Sequence, residues 1–447
     1  MALSRQEAEL VKETIPALRH HGEHISTVFY KTMLREHPEL NNYFNTVNMQ
    51  NGKQPRALTA LILAFASNIV NISELGPKME RVAQKHASLN IQPGHYEIVG
   101  KYLLRAFSAV LGPAMTADVK QAWQKAYWQM AKMLTGREVQ IYRDFAGWTG
   151  WRKFRIFSKN AETKDGDIVS LSLRPVDSRP LPTFMPGQYV TMRLRLPDLK
   201  YTNLRQYSLS SAPRPDQYRV TVKRDMGTDR DFTTESPRSS MADDDDPPKS
   251  SAASSASDSS IGSIRPHKPG LVSNTLIDEF KVGDLVELTH PAGEFFLDTA
   301  DPSTTPLVLI SAGVCASPLF SILDTVTSMK VNRPVSWIQG SRHDAPFQQQ
   351  VEAIAAAHPN VRTKFFRSRL ADSDVLSYTS TFKDDFQALL PADLCLDSSL
   401  AQYYICGPEK FMLEISALLQ KYGVDTARVR FELHSVGYFE VKSKNMA

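Results

Sequence analysis

Ser311-Ala312-Gly313-Val314-Cys315-Ala316-Ser317-Pro318 directly follows the apolar run Leu307-Val308-Leu309-Ile310 and opens a helical pattern. At such a strand-to-helix turn, backbone N–H groups and the helix dipole hold a pyrophosphate, which is what a dinucleotide cofactor presents. A second group with chemical potential is Arg205-Gln206-Tyr207-Ser208-Leu209-Ser210. Arg205 can pair bidentately with a pyrophosphate, Tyr207 offers a flat face, and Ser208 is a small hydroxyl donor. His86 follows Met79, Val82 and Ala83 at helical spacing, so it points with them into an apolar interior. An imidazole on such a face is either a hydrogen-bonded core residue or a metal ligand, and His86 alone does not separate the two.

The elements that must position these residues fall into three regions. Up to about Arg143 apolar residues recur at three- and four-residue spacings, such as Leu58, Leu61, Ile62, Phe65 and Ile69, which predicts an all-α domain over 1–146. Short β-rich runs follow, including Tyr189-Val-Thr-Met-Arg-Leu and Tyr218-Arg-Val-Thr-Val, punctuated by Pro and Gly. They predict an antiparallel β-barrel over 148–300. From Pro306 onward apolar strands alternate with helical stretches, which predicts an α/β domain over 304–447 built of parallel βαβ units. Residues 225–269 interrupt the barrel with Ser, Asp and Pro and little to bury. They read as a disordered surface insertion, either tolerated because long loops cost little or used for phosphorylation or docking.

A chain of 447 residues is too long for one core and long enough for a multi-step enzyme. With 52 basic and 48 acidic residues, its net charge of +4 gives no field suited to nucleic acid or an anionic membrane. Small-molecule chemistry is the expectation. The three cysteines, Cys315, Cys395 and Cys406, are too few and too scattered for a disulfide framework or zinc cluster, and they read as free thiols in a reducing compartment. The most apolar stretch, 57–66, is about half the length of a membrane span. Ser4 reads as a helix N-cap with acidic residues after it, unlike a presequence. A cytoplasmic protein is expected.

Five pieces, one of them carrying His86, stand in register: Val28-Phe29-Tyr30, Tyr43-Phe44-Asn45, Asn51-Gly52-Lys53-Gln54, Gln84-Lys85-His86 and His95-Tyr96-Glu97-Ile98-Val99-Gly100. Together they resemble the globin domain of flavohaemoglobins. The resemblance implies a haem b whose iron is held by His86, with Tyr96 and Glu138 forming a proximal polar network that makes the imidazole more basic. It further implies Tyr30 and Gln54 as distal hydrogen-bond donors, Leu58 and Phe44 as residues that wedge the haem, and Lys85 as a cofactor contact.

The remaining two-thirds resembles the ferredoxin reductase-like module of the same family. Arg205, Gln206, Tyr207 and Ser208 match its flavin motif, and Pro186-Gly187-Gln188-Tyr189 and Gly270-Leu271-Val272-Ser273-Asn274 match two more pieces. The resemblance implies that Tyr189 and Ser273 also contact FAD. It implies that Gly313, Val314, Cys315, Ala316, Ser317 and Pro318 contact NADPH or NADH. Tyr404-Ile405-Cys406-Gly407-Pro408 resembles the nicotinamide-side motif, placing Cys406, Gly407, Pro408 and, near the end, Glu432 at the cofactor. Two departures stand out: Cys315 where the family pattern has Gly, and Glu432-Leu433-His434-Ser435 where it has Glu-Cys-Phe-Gly. Either could slow hydride transfer or change the nucleotide preference.

The resemblance implies a nitric oxide dioxygenase that oxidises nitric oxide with O2 to nitrate, drawing electrons from NAD(P)H through FAD and haem. It also implies a monomer with no obligatory protein partner. Two alternatives stay open: an NAD(P)H-dependent peroxide or ferric reductase, and an oxygen or nitric oxide sensor with an impaired reductase.

Overall fold

The computed structural model describes residues 3–44, 49, 52–196, 199–227, 269–300, 304–329, 331–342, 344–367, 389 and 391–433. Most of the insertion (228–268), Asn45, Asn51 and the departing His434 lie outside the described residues.

The chain opens with a helical domain: α1 Arg5–Glu13, α2 Ile15–Glu36, α3 Lys53–Ser67, α4 Gly76–Ser88, α5 Pro93–Leu111 and α6 Ala117–Asp144. Ser4 caps α1 as expected: its hydroxyl accepts from the Glu7 N–H while the Glu7 carboxylate accepts from the Ser4 N–H. Helix α3 ends at Ser67, so Ile69 of the apolar series falls beyond it, yet Ile69 stays buried in the same core. The 57–66 stretch lies inside α3, and no helix among the described residues is long and apolar enough to cross a membrane.

Next comes an antiparallel sheet: β1 Arg152–Ala161, β2 Ile168–Pro175, β3 Tyr189–Leu194, β4 Asn203–Ser208, β5 Tyr218–Lys223 and β6 Leu285–Leu288. The six strands run in the order β4-β3-β6-β1-β2-β5, and a bridge between Leu209 and Val220 joins the two ends. That closure makes it the expected barrel and leaves no long free edge. Its interior holds Phe154, Ile156, Leu171, Leu173, Val190, Met192, Val220 and Leu288. The short helix α7 Leu271–Asp278 precedes β6. The flanks of the insertion meet: the Gly270 N–H donates to the Asp225 carbonyl at 2.8 Å.

The last third is a parallel sheet of five strands, β7 Leu307–Ala312, β8 Val335–Ser341, β9 Val361–Arg367, β10 Gln402–Cys406 and β11 Val429–Glu432, ordered β11-β10-β7-β8-β9. Leu307 and Leu309 face a core formed with α8 Ala316–Ser328 and α9 Gln348–Ala357. Val308 and Ile310 face a second core formed with α10 Glu409–Lys421. Burial on both faces explains why β7 is apolar without alternation. The strand order reverses between β7 and β10, so the crevice at their carboxyl ends is where a ligand belongs in this class of sheet.

Candidate functional site

Helix α4 carries Met79, Val82, Ala83 and His86 as the spacing predicted. The His86 Nδ1 lies 2.8 Å from the Tyr96 hydroxyl, which in turn donates to Glu138 Oε1. A phenol has one proton. Since Tyr96 gives its proton to the buried Glu138 carboxylate, its oxygen must accept from an Nδ1–H of His86. In the neutral ring this tautomer puts the lone pair on Nε2, the arrangement a metal ligand requires. The Glu138 oxygen is itself 3.3 Å from Nδ1. Desolvation, reinforced by the Glu138 charge, drives the Tyr96 phenol far above its ordinary range, so it remains a proton donor. Tyr127 fixes Tyr96 from behind, donating to its carbonyl at 2.5 Å, and lies against Gly100, where an added Cβ would come within 2.5 Å of the Tyr127 ring.

On α2, Tyr30 is buried, with its ring against Phe44 at 5.4 Å between centroids. The Gln54 amide on α3 donates to the Tyr30 oxygen at 3.1 Å. This direction leaves the Tyr30 proton uncommitted to Gln54 and available to a ligand. Burial pushes the Tyr30 phenol up to about 12, so it stays protonated at neutral pH.

Whether this arrangement suits a haem turns on His86 and its surroundings. The His86 side chain is 32% exposed although its neighbours Ala83 and Ala87 are fully buried. Phe44, Leu58, Val82, Ile98 and Val99 pack against the core but are likewise only partly covered. Open apolar side chains around an imidazole with a free Nε2 fit a flat, hydrophobic, iron-bearing ligand.

In the barrel, Arg205, Gln206, Tyr207 and Ser208 lie on β4, paired in register with Met192, Thr191, Val190 and Tyr189 of β3. Burial lowers the Arg205 guanidinium from its ordinary range, and one of its nitrogens donates to the Leu204 carbonyl at 2.9 Å. Burial also raises the Tyr189 and Tyr207 phenols. Ser273 lies in the first turn of α7, where backbone N–H groups have no partners within the helix.

At the third location the structure adds detail. Strand β7 runs to Ala312, and a 3-10 turn, Gly313–Cys315, intervenes before α8. Gly313 takes φ +57°, a left-handed conformation that suits glycine. Ser317 gives its hydroxyl proton to the Val314 carbonyl at 2.7 Å, so at the start of α8 an anion would be met by backbone N–H groups and not by this hydroxyl. Cys406 pairs in register with Ser311 on one side and Glu432 on the other. Ser311, Cys406 and Glu432 thus stand side by side at the carboxyl ends of β7, β10 and β11, with Gly407 and Pro408 leading from Cys406 into α10. No disulfide joins the three cysteines, but Cys315 and Cys406 pack in one cluster and are not scattered.

Lys85, Tyr189, Gln206, Ser208 and Glu432 line one pocket of about 70 Å³, together with Arg81, Glu294 and Leu433. The helical domain, the barrel and the parallel-sheet domain each contribute to this wall. Desolvation, helped by Arg81, brings the Lys85 ammonium down to about 8 against the opposing pull of Glu294 and Glu432. Arg81 ties the regions together, donating to the Leu433 carbonyl at 3.0 Å and pairing with Glu294 at 3.4 Å. Sequence reading missed Arg81, Glu294 and Leu433. Arg81 alone gave a signal, since it precedes Lys85 by one helical turn and shares its face.

Comparison with known proteins agrees with this arrangement. Residues 27–134 match the globin family, and residues 309–416 match the oxidoreductase NAD-binding domain family. A flavohemoprotein of Oceanobacillus iheyensis is 35% identical over 441 residues, covering 96% of each chain. A flavohemoprotein of Bacillus subtilis is 34% identical over 437 residues, covering 96% of this chain and 97% of its own. Among solved structures, a flavohemoglobin of Malassezia yamatoensis with bound FAD and heme superposes with a TM-score of 0.72 at 25% identity, covering 97% of this chain and 99% of its own. With a helical globin, a flavin-type barrel and a nucleotide-binding parallel sheet in one chain, matched end to end by these relatives, the protein belongs to the flavohemoprotein family.

Proposed function

We propose that this protein is an NAD(P)H-dependent nitric oxide dioxygenase that oxidises nitric oxide with O2 to nitrate. The observation that carries the reading is the direction of the two hydrogen-bond chains in the helical domain. Tyr96 and Glu138 engage His86 through Nδ1, which leaves Nε2 as the ring nitrogen for a metal, and Gln54 leaves the Tyr30 proton available to a ligand.

The work divides as the chain does. Residues 1–146 hold haem b through His86, with Phe44 and Leu58 against it. Residues 148–300 hold FAD through Tyr189, Arg205, Gln206, Tyr207, Ser208 and Ser273. Residues 304–447 hold NADPH or NADH through Gly313, Val314, Cys315, Ala316, Ser317, Pro318, Cys406, Gly407, Pro408 and Glu432. When bound, these groups supply hydride acceptance, single-electron transfer and oxygen chemistry.

The chain's own residues orient, shield and hold protons. Tyr96 and Glu138 fix the orientation of the His86 ring. Tyr30 donates toward the ligand side, and Gln54 aims its hydroxyl. Arg205 neutralises a pyrophosphate with a planar, two-point donor set. Lys85, Arg81, Glu294 and Glu432 surround the pocket where the three regions meet and set the charge through which electrons pass. One chain carrying all three regions makes the electron transfer intramolecular. The protein works as a monomer in a reducing, cytoplasmic compartment.

The test is NAD(P)H-dependent nitric oxide consumption in aerated buffer by the haem- and FAD-loaded protein, with nitrate quantified. Sustained turnover with nitrate equal to the nitric oxide consumed is expected. Peroxide or ferric turnover exceeding nitric oxide turnover would make it a reductase of those compounds. A single turnover seen only after chemical reduction would leave a gas-binding globin with a failed hydride step.

A further inference from the structure

Cys315 and Cys406 lie far apart in the chain, and the fold brings them together. Cys406 ends β10, where its partner on β7 is Ser311, and Cys315 sits in the 3-10 turn that follows β7. Cys406 is completely buried, in an apolar cluster against which the partly exposed Cys315 packs. Their thiols are in hydrogen-bond contact. The third cysteine, Cys395, lies in another cluster, beside Leu394 and Leu396.

We propose that Cys315 and Cys406 form a reversible dithiol–disulfide site on the crevice floor, oxidised by hydroperoxides and closing the crevice to the pyridine nucleotide. The second half of the statement rests on reading this crevice as the NAD(P)H site.

Geometry assigns the order of events. Cys315 is the partly exposed residue of the two and Cys406 is buried, so Cys315 meets the oxidant first. Its thiolate attacks the outer oxygen of hydrogen peroxide: an S–O bond forms, the O–O bond breaks, and hydroxide leaves to take up the proton that the thiol released. Cys315 is then a sulfenic acid. The Cys406 sulfur attacks it, forming the S–S bond and breaking the S–O bond, and the departing hydroxyl takes the Cys406 proton as water. Two thiols lose two electrons and two protons, and one peroxide becomes two waters.

Burial pushes the Cys406 thiol well above its ordinary range, and the neighbouring Cys315 sulfur and Glu432 carboxylate add to this. A thiol held protonated is a poor first nucleophile, which suits Cys406 to the resolving step. A disulfide needs its sulfurs about 2.05 Å apart, closer than any hydrogen bond. Cys406 is locked in a strand paired on both sides, so the turn Gly313–Cys315 must make the move. That turn is the one that opens α8, so the cross-link draws Val314 and Cys315 across the place where the nucleotide enters.

The test uses the full-length, cofactor-loaded protein, treated with hydrogen peroxide and then with dithiothreitol. In the wild type and in Cys395→Ser we expect a mass loss of two hydrogens and a peptide joining Cys315 to Cys406. We also expect at least a tenfold fall in NADPH-driven ferricyanide reduction, recovered with dithiothreitol. Cys315→Ser and Cys406→Ala should yield no cross-linked peptide. Each should show no dithiothreitol-reversible loss relative to its own untreated rate. Absence of the peptide in the wild type, a cross-link through Cys395, or a cross-linked protein reducing ferricyanide at full rate would overturn the proposal. Untreated protein without any NADPH turnover would count against the nucleotide reading, and the peptide map would still decide the thiol pair.

Discussion

The Ser88 hydroxyl, two residues beyond His86 on the same helix, accepts a hydrogen bond from the Gln206 amide of the barrel at 3.0 Å. It also accepts from Thr191 at 3.1 Å and donates to the Lys85 carbonyl at 2.8 Å, while the Ser88 carbonyl accepts from Thr289 at 2.8 Å. A single serine thus clamps the end of the helix that bears His86, the proposed iron ligand, to the strands that bear Thr191 and Gln206. Ser88→Ala leaves the buried Thr191 hydroxyl without this acceptor, at about 1–3 kcal/mol, and releases the exposed Gln206 amide. We expect NAD(P)H-driven ferricyanide reduction to be retained and haem reduction by NAD(P)H to slow several-fold in stopped-flow spectra. Equal slowing of both would mean that Ser88 acts only on the barrel.

Tyr30→Phe removes the hydroxyl that Gln54 supports and changes little else in the apolar wall. A hydrogen bond to a charged acceptor is worth about 1.5–3 kcal/mol. Oxygen dissociation from the reduced protein should accelerate by roughly ten- to a hundredfold. An unchanged rate would show that Tyr30 does not reach the ligand.

Gly100→Ala places a methyl group 2.5 Å from the Tyr127 ring. The ring cannot swing away without giving up its bond to the Tyr96 carbonyl. Overpacking of this kind costs about 1–3 kcal/mol. The denaturation midpoint should fall, and the haem spectrum should broaden as Tyr96 loses its support. Tyr127→Phe in the Gly100→Ala background should recover none of the loss, because the clash involves ring carbons.

Lys85 makes stability depend on pH in a defined direction. Its folded-state value of about 8 lies below the ordinary 10.5, so between those values the unfolded chain carries a proton that the folded chain has released. Stability therefore rises with pH through this window. A shift of this size corresponds to roughly 3 kcal/mol. The difference in unfolding free energy between the cofactor-free wild type and Lys85→Met, measured by urea titration from pH 7 to 10.5, should grow in favour of the wild type as pH increases. A flat difference would place the ammonium in contact with water.

Local pattern made much of the fold readable. The strands Tyr189–Leu194 and Tyr218–Lys223 begin where the alternation begins, and the apolar run at Leu307 becomes the central strand of the parallel sheet. His86 stood out because helical spacing is a property of neighbouring residues. Tyr30 and Gln54 lie on different helices, and no local rule joins them, so only resemblance to a family did. Arg81, Glu294 and Leu433 escaped notice because their pocket exists only after three regions have docked. The pairing of Cys315 with Cys406 was hidden for a related reason: adjacency in a parallel sheet arises from crossover connections, which erase sequence proximity.

The contact between Gly270 and Asp225 has a consequence for how the chain can change. The two backbones are joined at 2.8 Å, and the Asn274 amide donates to the same Asp225 carbonyl at 3.1 Å. The barrel is thus sealed at this point by groups outside the intervening stretch. Lengthening a loop whose ends are already held adds only about 0.6 kcal/mol per doubling. Excising the residues between, or replacing them with a foreign module, should leave the host fold intact, which makes this junction a natural port for grafting new sequence.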